Sequence, residues 1–482
     1  MQIKFSEPAR PVLPDSFEVS KHYYERVINA QLHTLVAFFL NMTREQIVER
    51  YCHLNPLIDK EYLKSLIEYQ PEYIYWTGTD LFHVTSARGH KRMLVVETNS
   101  CPSGQKSMPV LNDYQEMGGY RRLLESSFLP LANSRELPDG SLAVVYDKNY
   151  TEASGYAAAL AEITGEEVFL VSFFDGDQDP SVRFVDGIME VRDSGGSWHP
   201  IRAALRYVTQ KPWNRIPVNT KTFIYNPIIA CLAGGRNKLV AAKAYDLFNA
   251  ELQNNGLKIY TPETIMDLTL NEIPLWVKRF GGHAVIKMPY SNAGQGVYTI
   301  TNEGELEEFM NAEHHYNNFI VQSLVGNYEW STRGTDGKFY HVGTVPNKRK
   351  EIYASDLRMM IVTTEGGYKP VAMYARRARC PLNWKLEEAR DSWDMLGTNL
   401  SIKLENGWTT DVQRLKLMDR KDFNKLGLSL DNLIEGFIQS VLAAIALDKM
   451  ASYLVNSKKQ LKKKLFASIN PDPVLLEEIM EA

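Results

Sequence analysis

The chain has 482 residues, is 44% hydrophobic and 23% charged, and carries a formal net charge of −4. That composition excludes a disordered or fibrous chain, and at roughly 150 residues per domain it allows two to four compact units or one interlocked α/β body. A near-neutral balance with no long basic run in its body argues against a dedicated nucleic-acid binder, while an anionic ligand needs only a few local cations.

In chain order, Met1 to Pro8 lacks the apolar core of a signal peptide. Residues 17–70 predict helices, with Leu32, Leu35, Val36 and Phe39 on one face and Leu57, Tyr62, Leu63 and Leu66 on another. The run Met93-Leu94-Val95-Val96 predicts a buried strand, and the polar turn Glu97-Thr98-Asn99-Ser100-Cys101-Pro102-Ser103-Gly104 follows it directly. Polar groups at the end of a buried strand are where α/β proteins place their chemistry. Strand 142–146, helix 151–163 and strand 167–172 make a βαβ unit, and turns at Asp175-Gly176-Asp177 and Gly195-Gly196 bracket short strands. A boundary falls at 219–227, and a helix over 238–254 is closed by Asn255-Gly256.

Residues 283–300 alternate strand, Gly-bearing turn and strand, and a helix covers 303–311. Antiparallel strands are expected at 319–325, 339–344, 357–363 and 368–375, and a helix at 429–454. The apolar run 440–451 is interrupted by Asp448 and Lys449 and reads as too short to span a bilayer. Cys52, Cys101, Cys231 and Cys380 form no CxxC pair and the ten histidines no HExxH, which gives neither a disulfide framework nor a zinc-ligand spacing. The expectation is a soluble cytoplasmic protein in three parts: 1–135, 136–228 and 229–482.

Chemistry concentrates in a few places. Lys287 ends a strand and precedes Ser291-Asn292-Ala293-Gly294-Gln295-Gly296, a hairpin able to fold over triphosphate and offer backbone N–H groups; the same glycines also suit an ordinary turn. No GxxxxGK[ST], HRD or DFG occurs, which leaves a P-loop or a protein-kinase site unsupported. Lys238 opens a helix, where ammonium and helix N-terminus could share a phosphate. The strand through Gln322 and Leu324 offers an edge for a purine, or is simply core. Glu97 and Asn99, two apart on a strand, point to one face and can grip a hard cation, with Asp356 a further candidate ligand. Arg358 could clamp phosphate, and Arg376, Arg377, Arg379, Arg206, Lys211 and Asn399 could receive substrate, as arginines suit carboxylates.

Together these segments resemble the ATP-grasp superfamily, in the permuted order of eukaryotic-type glutathione synthetases, where the metal-binding ExN strand precedes the lysine and Gly-loop strands. Gly78-Thr79-Asp80-Leu81-Phe82 and Cys231-Leu232-Ala233-Gly234-Gly235-Arg236-Asn237-Lys238 share in the likeness. The resemblance spans about residues 75–400 and implies an α/β (α+β) ATP-grasp fold with a βαβ substrate domain. It implies that ATP and Mg2+ are used to turn a carboxylate into an acyl phosphate, which an amine then attacks with release of ADP and phosphate. Lys238, Lys287, Ser291, Asn292, Gly294, Gln295, Gly296, Gln322 and Leu324 would hold nucleotide. Glu97, Asn99 and Asp356 would hold metal, and Arg358 and Arg377 would stabilise developing charge. Ser103, Gln105, Arg206, Arg376 and Asn399 would contact a small amino-acid or dipeptide substrate, with neither nucleic acid nor membrane involved and a homodimer possible. The glutamate that follows the strand lysine in glutathione synthetases is replaced here by Met288-Pro289-Tyr290-Ser291. That departure, for which Asp356 could substitute, counts against a glutathione synthetase proper and is the best support of a regulatory alternative. Glutathione synthesis proper, or a nucleotide-binding regulatory protein that kept the fold, are the alternatives.

Overall fold

The computed structural model describes residues 6–110, 116–208, 215–291, 296–386, 392–404 and 407–480. It is mixed α/β. Strand β1 (Arg10–Val12) precedes helices Thr34–Leu40, Arg44–Leu54 and Lys60–Ile67, which bury Val36, Phe39, Ile47, Tyr51, Leu63 and Leu66. Thr43 and Gln46 cap the second of these reciprocally, and the Asp59 side chain accepts the Tyr62 N–H at the start of the third. Strands β2 (Trp76–Ser86) and β3 (Lys91–Asn99) then form a long antiparallel hairpin with a bulge beside Asp80.

The βαβ unit is β4 (Ser141–Tyr146), helix α1 (Tyr150–Thr164) and β5 (Val168–Ser172), with the two strands parallel. It continues into β6 (Val182–Val185), β7 (Ile188–Arg192), β8 (Trp198–Tyr207) and β9 (Phe223–Tyr225). The sheet order is β1-β5-β4-β8-β7-β6, with β9 also on β8. Two features depart from the sequence reading. The stretch expected to be a boundary supplies β9, and β1 comes from more than a hundred residues away to pair antiparallel with β5. Three residues are too short for periodicity to reveal; only the open edge of β5 gives β1 its partner.

Helix α2 (Lys238–Leu252) starts at Asn237, whose side chain accepts the Val240 N–H. Next come β10 (Thr264–Thr269), β11 (Ala284–Lys287), β12 (Val297–Ile300) and β13 (Asn318–Ser323), an antiparallel sheet in the order β10-β13-β11-β12. One face of it, Ile286, Phe319 and Val321 among others, closes a small separate core with Ile273, Val277 and Phe309. By the period-two alternation of strands, Lys287, Ile320 and Gln322 face the other way.

Strands β14 (Arg333–Gly334), β15 (Gly337–His341), β16 (Ser355–Thr364) and β17 (Gly367–Arg377) return to the β2–β3 hairpin. A further hairpin, β18 (Ser401–Leu404) and β19 (Gly407–Thr410), stands apart, and β20 (Leu415–Lys416) adds to β17. The central sheet thus runs β14-β15-β2-β16-β17-β20, with β3 along the other side of β2. Helix α3 (Leu430–Leu454) packs against β2, β3, β16 and α2. At 25 residues, with a mean hydropathy of 1.4 over its most apolar stretch, α3 is long and apolar enough to cross a membrane, contrary to the length argument above, but 89% of that stretch is buried inside the protein. Its Asp448 carboxylate accepts the N–H groups of Glu72, Tyr73 and Ile74 at 3.1, 2.7 and 2.9 Å and so holds the chain where it enters β2.

Behind the central sheet, His83 and His341 are buried with all four ring nitrogens unpartnered among the described residues. Burial, with Lys91 beside His83 and His83 beside His341, pushes both down from 6.5 to about 4. The unfolded chain therefore binds more protons than the folded one once pH falls below 6.5. Stability is full above that value and is lost as pH drops towards 4, by about 2 kcal/mol per histidine at pH 5. Urea midpoints measured from pH 7.5 to 5 should fall, and His341→Leu should flatten the slope. An unchanged slope in that variant would refute the assignment.

Candidate active site

One face of the central sheet collects the charged groups. Across the register, Asp80 lies opposite Glu97 on one side and Arg358 on the other, and Asp356 lies opposite Arg376. Because side chains two apart share a face, Asn99 joins Glu97, and Tyr374 joins Arg376. Arg358 grips Asp80 through Nε and Nη2 at 2.5 and 2.6 Å. Arg376 bridges Asp80, at 2.8 Å, and Asp356, to which its Nε donates at 3.0 Å. Thr398 donates to the same Asp356 carboxylate at 2.8 Å. Burial opposes ionisation of Asp80, but the two guanidinium groups outweigh it and hold its carboxyl at about 2.

A second cluster meets this face at Glu97. Lys238, at the start of α2, places its ammonium 3.8 Å from the Glu97 carboxylate and donates to Ser291 Oγ at 2.9 Å. Lys287, at the end of β11, donates to the Val96 carbonyl at 3.3 Å. The β11–β12 hairpin is tied to the helix start by the Lys238 N–H on the Pro289 carbonyl at 2.8 Å and closed by the Met288 N–H on the Gly296 carbonyl at 2.8 Å. Gly296 has φ +69°, where a side chain would be strained. Burial disfavours the Glu97 carboxylate, yet Lys238, Arg236 and Lys287 together hold it below the usual range. Burial likewise pushes Lys287 down to about 8, although Glu97 pulls it back up.

Two cavities join at Val96, Glu97, Arg236 and Lys287. A narrow slot of about 40 Å³ runs between α2 and the β11–β13 sheet and is lined by Lys238, Tyr245, Thr264, Ile320 and Gln322. It has room for a few waters rather than a purine, so it must widen to take one. A larger chamber of about 300 Å³ lies over the central sheet.

The structure brings many of the expected residues together. Glu97, Asn99, Lys287, Ser103, Arg358, Arg376, Asp356 and Asn399 line the chamber, and Glu97, Lys287, Lys238 and Gln322 line the slot. Several others lie elsewhere. Arg377 falls on the opposite face of β17, its guanidinium 4.5 Å from the Tyr353 ring, because strand neighbours alternate. Arg206 is buried, donating to the Asn226 carbonyl at 2.5 Å and to Cys231 Sγ at 3.3 Å, and reaches neither cavity. Arg379 pairs with Asp394 at 2.8 Å. Gln105 packs behind its turn against Gly119, and Leu324 is buried with Trp330 and Met395; neither lines the slot or the chamber. Asn292, Gly294, Gln295 and Lys211 lie outside the described residues.

Five contributors were given no site role from the sequence, although Asp80 and Arg236 lie within motifs quoted there. Asp80 pairs with Arg358 and Arg376, and Arg236, Lys106 and Lys148 add further cations to the lining. Lys148 sits just past the carboxyl end of β4, the position where open α/β sheets receive ligands, and that position was its available signal. Glu152, in the first turn of α1, is fully buried and accepts from Ser103 Oγ and from the Gly104 and Gln105 N–H groups at 2.6, 2.8 and 2.9 Å. It fixes the turn that follows the Glu97–Asn99 strand.

The residues suit magnesium in part. Glu97 is 31% exposed, and the Asn99 side chain beside it is buried with its amide nitrogen unpartnered among the described residues. Amide O and N are interchangeable by a flip, so this side chain is free to turn an oxygen to a cation. One carboxylate and one amide with nucleotide phosphates are a reasonable magnesium set. Asp356, the third expected ligand, already accepts from Arg376 and Thr398, and no cluster of three acids, histidines or cysteines occurs among the described residues.

No protein-family profile matches the chain, and no curated protein matches it. Solved structures do. The chain is similar to a RimK-domain ATP-grasp protein from Sphaerobacter thermophilus at 15% identity and a TM-score of 0.28, over 48% of this chain and 90% of that one. It is similar to a glutathione synthetase-like effector from Globodera pallida in its apo form at 10% identity and a TM-score of 0.37, over 76% and 87%. A third is D-alanyl-alanine synthetase A from Vibrio cholerae, at 11% identity and a TM-score of 0.31, over 49% and 89%.

Proposed function

We propose that the chain is a permuted ATP-grasp enzyme, an ATP- and magnesium-dependent carboxylate–amine ligase that joins small amino-acid-like substrates into an amide. The observation that carries this reading is the meeting of Glu97 and Asn99 with Lys238 and Lys287 where the slot opens into the chamber. Adenosine would lie in the widened slot against Gln322, with its phosphates towards the two lysines. Glu97 and Asn99 would hold magnesium, which would supply charge neutralisation on those phosphates. A carboxylate oxygen in the chamber would attack the γ-phosphorus as its bond to the bridging oxygen breaks and ADP leaves; the amine would then attack the acyl carbon, expelling inorganic phosphate and giving up a proton to solvent. Positioning and charge neutralisation are most of what such a transfer requires. Arg358 and Arg376 lie within the polar lining but are already paired with Asp80 and Asp356, so they fix its shape more than they chase charge.

Purified protein with ATP, magnesium and pooled amino acids should release ADP and phosphate and yield a mass equal to two substrates less water. AMP with pyrophosphate would overturn the acyl-phosphate route. A second reading, a nucleotide-binding regulatory protein, draws on the engagement of Asp356 by Arg376 and Thr398, which leaves Glu97 as the one acid of the expected metal set that Arg376 does not hold. Tight ATP binding without turnover on any carboxylate would favour it.

A further inference from the structure

The charges of the chamber do not balance. Its lining carries the cations Lys106, Lys148, Arg236, Lys287, Arg358 and Arg376 against the carboxylates of Asp80, Glu97 and Asp356. Arg358 and Arg376 are satisfied by Asp80 and Asp356, Lys287 lies in the field of Glu97, and Arg236 is near Glu97 too and donates to the Cys101 carbonyl at 3.4 Å. Lys106 and Lys148 remain. Among the described residues neither ammonium has a carboxylate or hydrogen-bond partner; Lys106 only overlies the Tyr24 ring, at 5.2 Å.

Both lysines stand on the wall away from the nucleotide slot, and neither lines that slot. Lys106 is carried by the turn Gln105–Ser107 and is 9% exposed, and Lys148 follows β4. Ser103, Ser107 and Asn149 line the same wall. The buried acid Glu152 is taken up by Ser103 and two backbone N–H groups. Burial and the neighbouring Arg236 push Lys148 down to about 7, with Arg358 adding to the effect and Asp147 and Cys101 offsetting only part of it. Asp147 is itself paired with Arg215 at 3.1 Å. A buried ammonium without a counter-charge is costly, and an anion placed beside it recovers that cost.

Resting on the ligase reading of the same site, we propose that the substrate is a small dicarboxylate, such as an acidic amino acid. One of its carboxylates faces Glu97 and Lys287, and the other is held by Lys106 and Lys148. Lysines suit this task as compact point charges with several rotatable donors. A monocarboxylic amino acid would leave the two ammonium groups unpaired and bind poorly.

The test is calorimetric titration of the full chain, with ATP and magnesium present, against succinate, glutarate, adipate, L-glutamate and the monocarboxylates pentanoate and L-alanine. At least one diacid should bind tenfold or more tightly than either monocarboxylate. Lys106→Met and Lys148→Met should each weaken that diacid about tenfold, and Lys148→Arg should restore most of the loss. Equal affinity for diacids and monocarboxylates, no binding by any diacid, or diacid binding indifferent to both Met variants would overturn the proposal. ADP release is read in parallel and separates the two readings. Lysine-dependent diacid binding without ADP release would sink the ligase and leave this pocket standing. ADP release driven by monocarboxylates and indifferent to both Met variants would do the reverse.

Discussion

Lys287→Met should lower ADP release by about 10³-fold while the protein stays folded. The ammonium sits at the junction of slot and chamber, held to the Val96 carbonyl at 3.3 Å, where a phosphoryl group would develop charge. It is only 5% exposed, so its charge acts through little solvent and is worth more than in water. Met keeps the length and apolar stem of the side chain and removes only the charge. The fold should tolerate this, since burial already presses the lysine down to about 8 and replacing it relieves that desolvation. The comparison variant is Arg377→Met, on the far face of β17, which should change turnover less than twofold. Equal losses in the two variants would show that the site lies elsewhere; retained turnover in Lys287→Met would remove Lys287 from it.

Asp80→Asn is expected to be the most damaging single change to the fold around the site, costing about 3–5 kcal/mol. Asp80 is 9% exposed and is the one carboxylate that both Arg358 and Arg376 contact. Asn is nearly the same size, so the loss is one of charge rather than packing. It leaves Arg358 without a carboxylate partner and Arg376 with Asp356 alone. Urea unfolding should report the loss, and a second substitution, Arg358→Met, should recover part of it because the orphaned charge is then gone. A single-variant midpoint equal to wild type, or no recovery in the double variant, would mean that the network contributes little. The same network explains why Arg358, expected to stabilise developing charge, is better placed to organise the chamber than to do chemistry.

How much of this was legible beforehand follows from the range of each signal. The βαβ unit, the hairpin around Gly296 and helix α3 rest on periodicity and turn chemistry within a few residues, and each appeared within a residue or two of its expected place. Glu97 with Asn99, and Lys287 with its glycine turn, were readable because strand alternation and a turn are local facts. Arg377 was misread for a local reason too: adjacent arginines on a strand cannot both face one cavity, and nothing within the strand said that Arg376 was the one.

By itself, then, the sequence determined the α/β character, the strand carrying Glu97 and Asn99, the lysines at Lys238 and Lys287, and the scatter of cysteines that leaves no disulfide framework. Only the tertiary structure decided that β2 and β3 lie against β16, that Asp80 therefore meets Arg358 across 278 positions of chain, and that Asp356 is occupied by Arg376 and Thr398. It alone set the turn bearing Lys106 in the same chamber wall as Lys148. The reason is one of distance along the chain. Propensity and periodicity act between neighbours in sequence, whereas a charge finds its partner through strand register and sheet order, which are set by burying whole faces together.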